Sequence, residues 1–288
     1  MKQLFCLFFL VGSIRSIAQQ EVAKKGRAFT IYSQYSMFPD SLRNAMPRIY
    51  NGKTYTAAEH YNDSSAFIFV PDYFDKSKPF HVVCWFHGWN NCIDSALVQY
   101  RLIEQFYAAH LNAIFILPEG PKNSPDSYAG KFERPAIFNA FIQEVRNNLI
   151  QQKLLLPTNQ SFDLIYAGHS GAYHAIANLL LNASYPCKGV LLFDALYAEP
   201  EKFAMYVQMH PLCKLINIYT DNGGTFQTSK NFITEMAAWR WKYTDREEID
   251  FMKTDIRNNQ AVFLHSKMQH NDVVANLNNF QRFLEALE

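Results

Sequence analysis

Residues 162–172 read Phe162-Asp163-Leu164-Ile165-Tyr166-Ala167-Gly168-His169-Ser170-Gly171-Ala172. Four apolar or aromatic residues, Leu164 to Ala167, run without a break into a glycine, a histidine and a serine. A helix of small and apolar residues, predicted over Gly171 to Leu181, follows at once. A serine at such a corner is forced into a tight turn, with its hydroxyl exposed above the end of a strand. Small residues on either side let the turn pass close to its neighbours. This is the mechanics of a nucleophile elbow, G-x-S-x-G. The last position here is Ala172, one methyl larger than the usual glycine. Ser170 is therefore the candidate nucleophile; a plain helix N-cap would use the same residue type.

Outward from this corner, short apolar runs alternate with helical patterns. The strand candidates are 65–70 (SAFIFV), 82–86 (VVCWF), 113–117 (AIFIL), 162–167 (FDLIYA), 190–193 (VLLF), 215–219 (LINIY) and 261–264 (AVFL). Their apolarity is nearly continuous rather than alternating, which marks strands buried on both faces, as in a parallel sheet. Helical patterns occupy 95–109, 135–155, 171–181, 200–209, 229–241 and 271–287. Alternation of this kind predicts an α/β fold with a doubly wound, mostly parallel sheet flanked by helices. The stretch 27–61 holds strand-like pieces such as Ala28 to Tyr32, placed as antiparallel edge strands. There is no repeat, low-complexity tract or Gly/Ser linker, so residues 19–288 read as one domain.

Composition narrows the function. The 288 residues carry 27 Lys+Arg against 26 Asp+Glu, and 49% are hydrophobic. Disorder needs low hydrophobicity and strong net charge, and nucleic-acid binding needs a basic excess to neutralise phosphates. Neither is present. Residues 1–18 (MKQLFCLFFLVGSIRSIA) combine Lys2, an apolar run from Leu4 to Val11 and a small-residue cut site near Ala18. This pattern predicts a signal peptide and an exported, periplasmic or secreted, mature chain. The run is shorter than the about 20 apolar residues of a membrane span. Export permits disulfides, and Cys187 and Cys213 stand before adjacent apolar runs; a bridge and two buried thiols are both compatible with that. No His/Cys/Asp/Glu spacing suggests a metal, and no cofactor motif is seen.

The remaining chemistry is sought at strand ends. Donors for a developing oxyanion are expected from the backbone N–H of Gly171 and of Trp89, where His87-Gly88-Trp89 closes the 82–86 strand. Of nine histidines, His270 is the best base, in the loop after the last strand. His265 ends that strand and reads as a packed histidine, whereas His169 and His87 are placed as cleft-lining or supporting groups. The base needs a carboxylate to hold its tautomer. Asp221, after the 215–219 strand, is preferred; Asp194, after the 190–193 strand, is the alternative and otherwise a supporting group. The loop 119–131 is expected to form one rim of an open, uncapped site.

These residues together resemble an α/β-hydrolase, from about Ser65 to the C-terminus. The likeness rests on FVPDYFD (69–75), HGW (87–89), GHSGA (168–172), Asp221 and QHNDVV (269–274). It is closest to exported esterases of the polyhydroxyalkanoate-depolymerase and feruloyl-esterase type. The resemblance implies a serine hydrolase acting on a carboxylic ester of a small or polymer-derived acyl group, without a cofactor. In that reading Ser170 is nucleophile, His270 base, Asp221 acid, and Trp89 and Gly171 the oxyanion donors. The same triad would serve an amide or peptide hydrolase, for example one acting on cell-wall peptides. An inactive hydrolase fold that binds a ligand is a further alternative, although such a chain would usually have lost one triad member. The region before residue 60 matches no known pattern.

Overall fold

The computed structural model describes residues 22–158 and 161–288. The leader-like residues 1–18, their cut site near Ala18 and Cys6 lie outside the described residues. All seven apolar runs form strands: β4 (Ser65–Pro71), β5 (His81–Phe86), β6 (Ala113–Pro118), β7 (Asp163–His169), β8 (Cys187–Phe193), β9 (Lys214–Thr220) and β11 (Ala261–Ser266). With β1 (Gly26–Tyr32) and β10 (Tyr243–Glu247) they make one nine-stranded sheet, ordered β1-β4-β6-β5-β7-β8-β9-β11-β10. A separate hairpin pairs β2 (Arg48–Tyr50) with β3 (Lys53–Tyr55). The sheet is parallel from β6 to β10, whereas β4 runs against the rest and pairs antiparallel with both β6 and β1 at one edge. The doubly wound, mostly parallel expectation is met; β1 is an edge strand in antiparallel pairing, and β4 is the reversed strand beside it.

The continuous apolarity of the central strands has a direct cause. Along β5, Val82, Cys84 and Phe86 enter one core layer, and Val83 and Trp85 enter the other. The first layer is covered by helices Ile137–Gln151, Tyr173–Asn182, Pro200–Met209 and Phe226–Ala238. The second is covered by Ile93–Gln99, Leu102–Ala108, Lys253–Asn258 and Asn279–Ala286. Successive side chains point to opposite faces, so a strand buried on both must be apolar throughout. Trp85 is fully buried between the rings of Tyr100, Phe193 and Phe280.

Some elements depart from expectation. Strand β10 (YTDRE) escapes detection because it is short, polar and half-exposed, and its charges suit a sheet edge that must not pair further. The helix expected over 95–109 is two helices, broken at Arg101, which takes a left-handed φ of 50°. The final helix begins at Asn279 rather than Asn271, which leaves His270 on a loop. The segments 194–199 and 221–225 that follow β8 and β9 are too short to hold a cap. Cys187 and Cys213 are free thiols at the amino edge of the sheet, with the Cys213 S–H donating to the Cys187 sulfur at 2.9 Å.

The carboxyl edge of the parallel strands collects the candidate residues. Strands β5 and β7 are direct neighbours, yet β5 leads next to β6 on its other side. Such a reversal of strand order opens a crevice at the carboxyl ends. Trp89, Ser170, Asp194, Asp221 and His270 all follow strands that end at this edge.

Candidate active site

Ser170 sits at the exit of β7 with a left-handed φ of 56°, followed by a single 3-10 turn and the helix Tyr173–Asn182. A non-glycine residue in this region carries about 1–3 kcal/mol of strain, which the surrounding packing must offset. The packing is visible. A Cβ on Gly168 would fall 2.5 Å from the Ala172 Cβ and 3.0 Å from the Phe86 carbonyl. The methyl at Ala172 is thus accommodated because Gly168 has no side chain.

The loop after β5 closes on the same corner. A Cβ on Gly88 would lie 2.6 Å from the Ser170 Cβ, 2.7 Å from the His169 carbonyl and 3.2 Å from the Gly171 nitrogen. The two backbone segments therefore meet as closely as backbone can. The backbone N–H of Trp89 has no acceptor among the described residues. The Gly171 N–H belongs to the first turn of a helical segment, where amides lack intrahelical partners. His87 does not line the cleft: it is buried, its Nδ1 2.8 Å from the Gly88 carbonyl and its Nε2 2.8 Å from Glu119 Oε1. It ties the Gly88 turn to the loop after β6.

His270, the candidate base, pairs with Asp194 rather than with the preferred Asp221. His270 Nδ1 lies 2.7 Å from Asp194 Oδ2. Asp194 is fully buried; the Thr220 amide and hydroxyl donate to it at 3.1 and 2.7 Å, and the Thr225 hydroxyl donates as well. Burial by itself would raise its pKa, but the hydrogen bonds from His270, Thr225 and Thr220 outweigh burial and hold the carboxyl below the ordinary carboxylate value. A Cβ on Gly223 would fall 1.7 Å from Asp194 Oδ2, so the turn after β9 can seal the carboxylate only as glycine.

Asp221, the acid preferred from sequence, lies elsewhere. Its Oδ1 is 2.7 Å from His265 Nε2 and its Oδ2 is 3.4 Å from Lys267 Nζ, with 45% of its side chain exposed. The reason is register. Strand β11 pairs directly with β9, His265 opposite Tyr219 and Ser266 opposite Thr220. Asp221 therefore meets His265, the penultimate residue of β11. His270 lies five residues further along, on a loop that crosses back over β9 to reach the end of β8.

That loop is held by His169, which is buried beneath the elbow rather than lining the cleft. The Tyr100 hydroxyl donates to His169 Nδ1 at 3.0 Å, and His169 Nε2–H donates to the His270 carbonyl at 2.9 Å. The two imidazole centroids are 4.4 Å apart. Burial, then the charge of His270, lowers the pKa of His169 to about 3. Its ordinary value is about 6.5, so the folded state binds fewer protons than the unfolded state between those two values. The resulting stability is complete above pH 6.5 and is lost progressively as pH falls toward 3, at up to about 1.4 kcal/mol per pH unit. Urea midpoints measured from pH 7 to pH 4 should fall more steeply for the wild type than for His169→Gln. Equal slopes would show that His169 titrates normally.

Tyr197 carries no sequence signal of a site role. It stands on the short segment after Asp194, where a generic Asp-Ala-Leu-Tyr offers no motif to find it. Its hydroxyl donates to the Gly223 carbonyl and neighbours the Ser170 side chain. Its ring meets that of His270 nearly edge-on at 6.3 Å. Burial, then the Asp194 charge, pushes its pKa up to about 12, so it stays a neutral phenol.

On the other side, the loop after β6 supplies Ser127, whose hydroxyl accepts the Trp89 Nε1–H at 2.8 Å. The rim expectation for 119–131 agrees with this contact. A separate concavity of about 670 Å³ lies at the opposite, amino edge, between Gly26, Val70, Asp75 and Leu154, and is remote from Ser170. Among the described residues no group of three or more His, Cys, Asp or Glu side chains is placed to hold a metal ion.

No family model and no curated protein matches this sequence. Solved structures do match its fold. A feruloyl esterase module from Clostridium thermocellum, complexed with sinapinate, superimposes with a TM-score of 0.56 at 11% identity, covering 91% of this chain and 88% of that one. A ferulic acid esterase gives 0.55 at 13% identity, over 91% and 98%. FphF, a fluorophosphonate-binding serine hydrolase of Staphylococcus aureus, gives 0.53 at 11% identity, over 92% and 99%. The fold is that of the α/β-hydrolases. Within the α/β-hydrolase fold, the elbow after β7 and the histidine loop after β11 occupy one crevice. No helix among the described residues is long and apolar enough to cross a membrane.

Proposed function

We propose that this protein is a serine hydrolase cleaving carboxylic esters, with Ser170 as nucleophile, His270 as general base and Asp194 as the acid that orients it. The observation that carries the reading is the 2.7 Å pair between His270 Nδ1 and the buried Asp194 Oδ2, with the His270 loop pinned by the residue preceding Ser170. An ionised carboxylate only accepts hydrogen bonds, so His270 Nδ1 carries the proton and Nε2 is left bare to act as base. That nitrogen takes the Ser170 proton as Oγ attacks the ester carbonyl carbon. The oxyanion forms against the N–H groups of Trp89 and Gly171. Collapse breaks the bond to the alcohol, which leaves with the proton from Nε2. Water, deprotonated by the same nitrogen, then attacks the acyl-enzyme; the acid product leaves and Ser170 is restored.

Structural neighbours that include a feruloyl esterase module and a fluorophosphonate-binding hydrolase support this class of chemistry. The leader-like residues 1–18 support export. The test is to label the chain from Gln19 with a fluorophosphonate and map the adduct. One adduct on Ser170, lost in Ser170→Ala and strongly slowed in His270→Ala, is the expected result. Folded protein without an adduct would overturn the reading in favour of a ligand-binding protein. Labelling together with turnover of amides but not esters would move the substrate class to amides.

A further inference from the structure

The crevice has a wall that does not come from the sheet. The β2–β3 hairpin lies against Trp89: the Tyr50 ring meets the indole at 5.4 Å and 76°. The Arg48 guanidinium sits 5.6 Å from the Tyr50 ring and 6.0 Å from the Trp89 ring. Trp89 in turn rests on the elbow, because a Cβ on Gly171 would fall 2.5 Å from its Cδ1. Both rings remain more than a third exposed. An arginine and two aromatic faces therefore border the residue that follows the nucleophile.

Two arginines of this region differ in how their charge is used. Arg43 is paired with Asp126 at 2.6 Å and lies over the rings of Tyr61 and Tyr128, which locks the N-terminal segment onto the loop after β6. Arg48 has only its Nε committed, donating to the Pro125 carbonyl at 3.3 Å. Among the described residues no carboxylate pairs with it and no acceptor takes its Nη donors. Arg43 already engages the nearby Asp126, so that carboxylate is not a rival ligand. The uncommitted end of a guanidinium is a planar fork that matches a carboxylate.

We propose that Arg48, Tyr50 and Trp89 form a subsite that selects esters bearing a carboxylate. Arg48 takes the anionic group, and the two rings flank the part of the substrate that carries it. The subsite rests on the hydrolase reading above, and its test separates the two. Two matched pairs of esters serve as probes: p-nitrophenyl hemisuccinate against p-nitrophenyl butyrate, and 4-acetoxybenzoate against phenyl acetate. The wild type should favour the charged member of at least one pair in kcat/KM, through KM. Arg48→Gln should cut that charged-to-neutral ratio by about tenfold or more, the scale of a lost charge-assisted hydrogen bond. Arg48→Lys should restore part of it, and 0.5 M salt should erode the ratio in the wild type. Because Arg48 also ties the hairpin to Pro125, a general loosening would lower both members of a pair together and leave the ratio intact.

A second readout needs no turnover. Benzoate or succinate should slow fluorophosphonate labelling of Ser170 in the wild type and less so in Arg48→Gln. Labelling that ignores these anions, with ratios near one for both ester pairs, overturns the subsite alone. Absence of both adduct and turnover overturns the hydrolase reading and the subsite with it.

Discussion

Replacing Asp194 with Asn should lower kcat by about 10⁴-fold, whereas Asp221→Asn should leave it within about threefold. The amide is isosteric and the site is sealed by Thr220, Thr225 and Gly223, so the ring of His270 stays in place. What changes is the proton. Asparagine can present an N–H to Nδ1, which favours the tautomer that places the hydrogen on Nε2, where the base must be bare. Asp221 is nearly half-exposed and paired with His265 and Lys267, so its loss removes a surface contact worth about 0–1 kcal/mol and touches no reacting atom. The measurement is steady-state hydrolysis of a simple aryl ester, with circular dichroism confirming the fold of each variant. The reverse ranking would reassign the acid to Asp221 and require the His270 loop to sit elsewhere in solution.

Gly88→Ala should be the second large effect, lowering kcat by about 10²–10³-fold, the loss associated with one oxyanion donor. The added methyl would stand 2.6 Å from the Ser170 Cβ and 2.7 Å from the His169 carbonyl, and neither can swing aside as a flexible side chain would. The Gly88–Trp89 backbone must retreat, and the Trp89 N–H retreats with it. The fall should appear in kcat more than in KM, because the donor matters most when charge develops on the oxygen. Unchanged kcat would mean that the Trp89 amide is not a donor to the reacting oxygen.

The sequence shows the sheet because its strands are buried on both faces, which writes them as unbroken apolar runs such as Val82 to Phe86. The elbow is equally legible, since its requirements are local: a strand, small residues and a serine in consecutive positions. The acid is not. Asp194 and Asp221 each follow a strand at the same sheet edge, and the choice depends on how far the loop carrying His270 travels back across β9. No local pattern encodes that distance. His169 illustrates the same limit, because its burial and its bond to the His270 carbonyl arise from residues 101 positions apart. Strand β10 is missed for the opposite reason: an edge strand is paired on one side only, so it lacks the apolar signature that reveals the others.

The N-terminal hairpin is fastened to the rim through Arg48, Tyr50 and their contacts with Pro125 and Trp89, and it forms no rung of the main sheet. Its three-residue strands contain no buried residue. Exchanging it would uncover little of the core and would leave Ser170, Asp194 and His270 in place after β7, β8 and β11. On the proposed reading, descent with modification of this hairpin could revise what the chain selects while Ser170, His270 and Asp194 stay untouched, with Trp89 shared by the two tasks.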